Sequence, residues 1–282
     1  MASVTQGKVG GVIAERFLWL ATLFPSIRRY LWRGLFELVA FYFRRAEFWT
    51  FMNYGYACGD PARLPKLEGG DWAQRYAVYL YHRVAARVDL QDRVVLEVGS
   101  GRGGGASYVK RYLKARRVVG VDNASWAIAF CRRVHQVEGL EFIKGDAEAL
   151  PFADASFDAV LNIESSFCYP SIERFFAEVR RVLRPQGYFL YADIRLANEV
   201  DELERSIAYS AMTMIERSDI TSNVLDALRL DSEHRARWSQ LLCPPFPRKL
   251  FDVFLGVAGT RIPVQLGDGR MRYLAFVLRK AD

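Results

Sequence analysis

Five of the seven residues from Gly99 to Gly105 are glycine, in the stretch VVLEVGSGRGGGASYV, and they follow directly on β-branched apolar residues. Backbone without Cβ atoms either lets something approach the main chain closely or simply makes a tight turn. About 20 positions further on, Asp122 closes a second apolar run, RRVVGVD, where a carboxylate can accept hydrogen bonds from the two hydroxyls of a ribose. Its plainer role is a helix N-cap. Two more groups have the chemistry for proton transfer: Glu164, just past a fourth apolar run, and His82 in LYHRVA, whose ordinary pKa suits transfer near neutrality. Their plainer roles are a helix cap and a hydrogen-bonded packing contact. His135 follows CRRV on an outward-reading helix and His234 lies in a charged run, so both rank lower.

These residues need a frame that brings strand ends together. RVVLEVG, RRVVGVD, LEFIKGDA, FDAVLNIES and YFLYADI read as five short strands. Between them ASYVKRYLKA, SWAIAFCRRVHQ and SIERFFAEVRRVL read as helices, with RPQG as a turn before the fifth strand. Such alternation predicts βαβ units and a parallel sheet covered on both faces. Residues 199–240 interrupt it and read as an inserted helical cover, and the tail reads as a helix and two strands hinged at GDG. The expectation is therefore an α/β, Rossmann-like doubly wound seven-stranded sheet, mostly parallel, with an antiparallel C-terminal edge hairpin. CGDPARLPKLEGGDW, rich in proline and glycine, separates an N-terminal appendage with a lid, residues 1–60, from the main domain, 61–282.

A chain of 282 residues with 51% hydrophobic content can bury a substantial core and reads as globular. Cys58, Cys131, Cys168 and Cys243 are far apart and there are three histidines, so no metal site and no disulfide framework is expected, and a cytoplasmic location is. Residues 1–47 hold Lys8, Arg16, Arg28, Arg29, Arg33, Arg44 and Arg45 against Glu15, Glu37 and Glu47, a net +4. That charge could face anionic lipid or nucleic acid, or be solvated on an ordinary helix. No N-P-P-Y-like or cysteine-nucleophile motif accompanies it, so no nucleic-acid partner is expected. The longest uncharged run there, Phe17–Ile27, has eleven residues and contains Pro25, about half of a membrane span. From Tyr30 onward Leu31, Leu35, Leu38 and Tyr42 recur at helical spacing opposite Arg33, Glu37 and Arg44, and Trp32, Phe36 and Phe43 widen the apolar face. Its cover could be the chain's own domain, a second copy in a homo-oligomer, or peripherally a bilayer surface.

NAD and S-adenosylmethionine both present an adenosine ribose, and the residues considered so far admit either. The spacing G-x-G-x-x-G fits only loosely, as Gly99, Gly101 and Gly104. Taken in order, VLEVGSGRGGG, GDAEALPFADASFDAVLNIES and VRRVLRPQGYF resemble successive motifs of the class I S-adenosylmethionine-dependent methyltransferases, over residues 75 to 195. Upstream, FWTFMNYGYA resembles the NYGY lid of methyltransferases acting on sterols, tocopherols and lipid-like natural products. LYHR, GGGASYV, CYPSIERFFAEVRRVLRPQGYF, YADIR and ITSNVLDAL are similar to enzymes of the phthiotriol and phenolphthiotriol dimycocerosate methyltransferase type.

The resemblance implies that Glu97, Gly99, Ser100 and Gly101 border the amino-acid end of the cofactor, Glu97 and Ser100 standing where Asp and Cys are commoner. It implies that Asp122 holds the ribose with Asn123 beneath it, that Asp146 bonds the adenine amino group beside the Ala147 N–H, and that Asn162 faces the methionine portion. Tyr54 and Tyr56 would close over the cofactor. A sulfonium methyl is already activated, so the protein has chiefly to hold the acceptor in line. A hydroxyl acceptor needs a base; an alkene or indole-type acceptor, methylated on carbon, needs its developing cation stabilised. Glu164 and His82 are the candidates. Asp193 and Arg195 could hold a polar substrate group or form an internal salt bridge. A hydrophobic small-molecule acceptor and O-methylation are expected, with C-methylation and, more remotely, NAD-dependent oxidation as alternatives.

Overall fold

The computed structural model describes residues 25–282 apart from 61 and 63. Pro25–Tyr42 forms α1 and Arg75–Ala85 forms α2. The alternation follows as β1 (Val94–Val98), α3 (Gly104–Tyr112), β2 (Arg117–Asp122), α4 (Ser125–Val134), β3 (Leu140–Lys144), β4 (Phe157–Ile163), α5 (Ile172–Val182) and β5 (Leu183–Leu196). The chain ends in α6 (Val200–Tyr209), β6 (Met212–Asp219), α7 (Thr221–Leu230), α8 (Ser232–Leu242), α9 (Pro245–Leu255), α10 (Arg261–Gly267) and β7 (Met271–Lys280). The strands make one seven-stranded sheet in the order β3-β2-β1-β4-β5-β7-β6. The first five are parallel, and β7 runs antiparallel between β5 and β6. The order reverses between β1 and β4, so their carboxyl ends open the crevice in which such sheets bind ligands.

Alternation along β1 divides the core. Val94, Leu96 and Val98 join the layer of Phe175, Phe176 and Val179 from α5, whereas Val95 joins Leu80 of α2 and Val109 of α3. Glu97 therefore points into the α2–α3 layer.

Three stretches differ from the expected elements. Residues 199–240 are not helical throughout: Met212–Asp219 is the edge strand β6, mostly exposed and so without an apolar alternation to betray it. The GDG turn joins a helix to a strand, not two strands. Ile262 and Val264 suggest strand, but Pro263 sits in the first turn of α10, where the missing N–H costs nothing. β7 thus takes both its antiparallel neighbours, β5 and β6, from distant parts of the chain. RPQG is a bulge within β5: Phe157 pairs with Leu183 and Ala159 with Tyr188, leaving 184–187 looped out with Gln186 at φ 61°.

α1 packs on its own domain. Ala40 meets Ala124 and Ala127 of α4, Trp32 stands edge-on to Phe167 at 5.5 Å, and Glu37 accepts the Trp126 N–H at the start of α4. Phe43 stacks on Phe251 of α9. The stripe containing Leu38 and Tyr42 is not the buried face; both side chains are exposed. Among the described residues no helix is long and apolar enough to cross a membrane.

Candidate functional site

The corner between β1 and α3 is bare because the chain's own side chains fill part of it. Gly99 has φ +74°, and a Cβ there would lie 1.9 Å from the Ser165 hydroxyl. At Gly105 a Cβ would lie 2.0 Å from the Tyr81 ring and 2.5 Å from a Glu97 oxygen. Close approach does require the glycines, and part of what approaches is Tyr81, Ser165 and Tyr169.

Around this corner the structure brings most of the expected cofactor residues together. Val121 accepts the N–H groups of Gly99 (2.8 Å) and Ser100 (2.9 Å), and the Asp122 carboxylate accepts those of Gly101 (2.8 Å) and Ala124 (2.9 Å). The N-cap of α4 is Ala124, without a side-chain cap; Asp122 instead closes the turn before it and retains lone pairs for a further donor. Burial raises its pKa above the ordinary aspartate value. Asn123 adjoins it. Asp146 accepts the Glu148 N–H at 3.0 Å in the next strand-end turn, and Ala147 packs partly buried beside it.

Deeper in, Glu97 is 1% exposed and its Oε1 accepts the Tyr81 hydroxyl at 2.5 Å. Burial pushes its carboxyl up to about 8, against the lowering effect of Tyr81 and of the Ala106 N–H. Asn162 donates to the Val98 carbonyl (2.8 Å) and the Tyr169 hydroxyl (3.1 Å). Among the described residues Glu97 Oε2, Ser100 Oγ and Asn162 Oδ1 are buried with no hydrogen-bond partner. Buried polar atoms of this kind are costly, and three around one corner fit a polar ligand bearing both donors and acceptors. The methionine end of S-adenosylmethionine, which bears both, meets that requirement.

The NYGY segment is fastened over the same edge. Asn53 Oδ1 accepts the Gly55 N–H, its amide donates to Ala77, and the Tyr56 N–H bonds the Tyr76 carbonyl. From α8, Arg235 donates to the carbonyls of Asn53 and Tyr54 while paired with Asp231. The Tyr54 N–H reaches Glu164 Oε2 at 3.0 Å, and the Tyr273 hydroxyl of β7 donates to the same oxygen at 3.0 Å. Glu164 has φ 53°, a strained backbone for a residue with a side chain. Burial pushes its carboxyl up to about 8 and nearby Asp193 adds to the rise, while Tyr54, Tyr273 and Arg235 lower it. Burial also raises the Tyr54 and Tyr273 phenols, so both stay protonated at neutrality.

His82 is placed apart from this group, with Nδ1 2.7 Å from the Tyr108 hydroxyl between α2 and α3. Asp193 and Arg195 form the internal pair, N to O 3.0 Å, tied in with Ser166 and Tyr191. The sequence reading missed Tyr81, Tyr169, Tyr273 and Arg235, whose aromatic or basic types carry no spacing signal. It also missed Arg102, the one charged residue of GSGRGGG. Arg102 is buried, donates to the carbonyls of Phe43, Ala46 and Trp49, and stacks on Phe130 at 3.7 Å. Burial lowers its pKa to about 10.

The sequence matches the family model for a methyltransferase domain over residues 96–191. It is 41% identical to the phthiotriol/phenolphthiotriol dimycocerosates methyltransferase of Mycobacterium tuberculosis, over 82% of this chain and 85% of that one. It is 47% identical to the fatty-acid O-methyltransferase of Mycolicibacterium smegmatis, over 62% and 64%. In fold it is similar to geranyl diphosphate C-methyltransferase of Streptomyces coelicolor, with TM-score 0.59, 17% identity and coverage of 81% and 89%. The strand order, the orphaned polar atoms and these relatives favour the sulfonium cofactor over a nicotinamide. The chain belongs to the class I S-adenosylmethionine-dependent methyltransferases, in the family of the phthiotriol/phenolphthiotriol dimycocerosate enzymes.

Proposed function

We propose that this enzyme methylates an oxygen of a hydrophobic, lipid-like acceptor bearing a hydroxyl group, with Glu164 as the general base. The cofactor supplies an electrophilic methyl whose transfer needs no covalent enzyme intermediate. Gly99, Ser100, Gly101, Glu97 and Asn162 hold its amino-acid end, Asp122 and Asn123 its ribose, and Asp146 and Ala147 its adenine. Tyr54 and Tyr56 exclude water as part of the lid. His82 keeps α2 against α3 through Tyr108, and so acts on the site through Tyr81, its neighbour in sequence.

The observation carrying this reading is the way Glu164 is held. Both hydrogen bonds to its carboxylate, from the Tyr54 N–H and the Tyr273 hydroxyl, converge on Oε2. That fixes the carboxylate's orientation and leaves Oε1 for the acceptor's proton. A carboxyl raised to about 8 is a stronger base than an ordinary glutamate and is still partly ionised near neutrality. The names of the mycobacterial relatives, one a phthiotriol/phenolphthiotriol dimycocerosates methyltransferase and one a fatty-acid O-methyltransferase, support a hydrophobic oxygen acceptor. The test is transfer of a labelled methyl to long-chain alcohols and long-chain acids, with products identified by mass spectrometry. Ether formation from the alcohol, reduced roughly a hundredfold in Glu164→Gln with cofactor affinity unchanged, is the expected result. Methylation on carbon, or no loss in the variant, would overturn the reading.

A further inference from the structure

α1 carries aromatic and aliphatic side chains on more than one side, and part of that apolar surface is left uncovered. Tyr30, Gly34, Leu38, Phe41 and Tyr42 recur at helical spacing on its outer face. Tyr30 is 67%, Leu38 63% and Tyr42 50% exposed. Trp126, from the start of α4, and Phe48, just after α1, continue the patch at 41% and 47% exposed. A monomer seldom leaves so many large aromatic side chains grouped in water. Exposed Arg33 and Arg45 flank the patch, and Arg44 lies over the Phe41 ring at 4.1 Å. Aromatic rings with polar tips among arginines are what the headgroup region of a bilayer receives: the rings bury in the acyl boundary while the guanidinium groups meet anionic headgroups. A symmetric contact with a second copy would instead bring Arg33, Arg44 and Arg45 close to their own counterparts. The patch is also continuous with the site, since residues 43–49, clamped by Arg102, lead directly into the lid.

We infer that the outer face of α1, with Phe48 and Trp126, docks the enzyme on an anionic membrane surface, from which the acceptor enters beneath the lid. The inference rests on the acceptor being hydrophobic, but its test does not use the reaction. Full-length protein is floated with vesicles of phosphatidylcholine containing about one-third phosphatidylglycerol, and with neutral vesicles. The parent should bind the anionic vesicles and release with rising salt. The triple variant Tyr30→Ser, Leu38→Ser, Tyr42→Ser should bind roughly tenfold more weakly, with unchanged melting temperature and cofactor affinity. Equal binding by parent and variant, or a parent that ignores vesicles and has twice the variant's mass by light scattering, would overturn the inference. Failure of Glu164→Gln to slow turnover would leave it untouched.

Discussion

At the residue scale, two carboxyls decide the behaviour of the site, and both are raised to about 8 by burial. A glutamate whose folded pKa lies above its ordinary 4.5 keeps a proton that the unfolded chain has already released. Its contribution to stability is therefore most favourable below about 4.5 and declines as pH rises towards about 8. The melting temperature of the cofactor-free enzyme should fall between pH 5 and pH 8, and Glu164→Gln should flatten part of that slope; a variant with the parent's full slope would contradict the burial of this group. The cationic amino group of the cofactor should favour ionised Glu97, so affinity for S-adenosylhomocysteine should rise with pH through the same range, and titration calorimetry measures it. Asp122→Ala should weaken that affinity by more than about tenfold, since on the proposed function it removes the acceptor of two ribose hydroxyls. Of these residues, Asp122 and Glu164 are legible in the sequence because they close or directly follow an apolar strand, and Glu97 only through the family resemblance. Tyr273 is not, for it meets Glu164 only after the fold joins positions 109 residues apart.

At the scale of elements, the strand–helix alternation from β1 to β5 is legible because β1, β2 and β4 are buried on both faces and so are continuous apolar runs, while the edge strand β3 still alternates. β6 lacks that signature, being an edge strand with most of its residues exposed. α10 carries β-branched residues that suggest the opposite element. The lid's sequence is recognisable, but its fastening is not: Arg102 donates to three main-chain carbonyls of residues 43–49, and nothing in GSGRGGG distinguishes that arginine from a solvated one. Replacing Arg102 with Met should remove its bonds to those carbonyls, of which Phe43 and Ala46 keep a main-chain N–H partner and, among the described residues, Trp49 does not, and cost about 2–4 kcal/mol, with proteolytic cleavage appearing in the segment between α1 and the lid. Unchanged thermal stability and cleavage would show that the clamp is idle. Gly105→Ala should also destabilise, by about 1–3 kcal/mol, because its methyl would collide with the Tyr81 ring.

At the scale of the whole molecule, the reversal of strand order between β1 and β4 gathers the ends of four parallel strands at one crevice, and β7 contributes Tyr273 from the antiparallel edge. α1 and the lid cover the opening from one side and α8 from another, through Arg235. On the proposed function the sheet is the cofactor floor, and the less regular chain ends form the acceptor side. Each part has its own test, but the chemistry turns on whether the carboxylate pinned between sheet and lid removes the acceptor's proton. The most direct measurement is the pH dependence of single-turnover methyl transfer to a long-chain alcohol, in the parent enzyme and in Glu164→Gln with cofactor saturating. The parent rate should rise with pH to a plateau with a midpoint near 8, and the variant should be slow with that midpoint gone. Parallel profiles of equal height would mean that Glu164 does not act as the base.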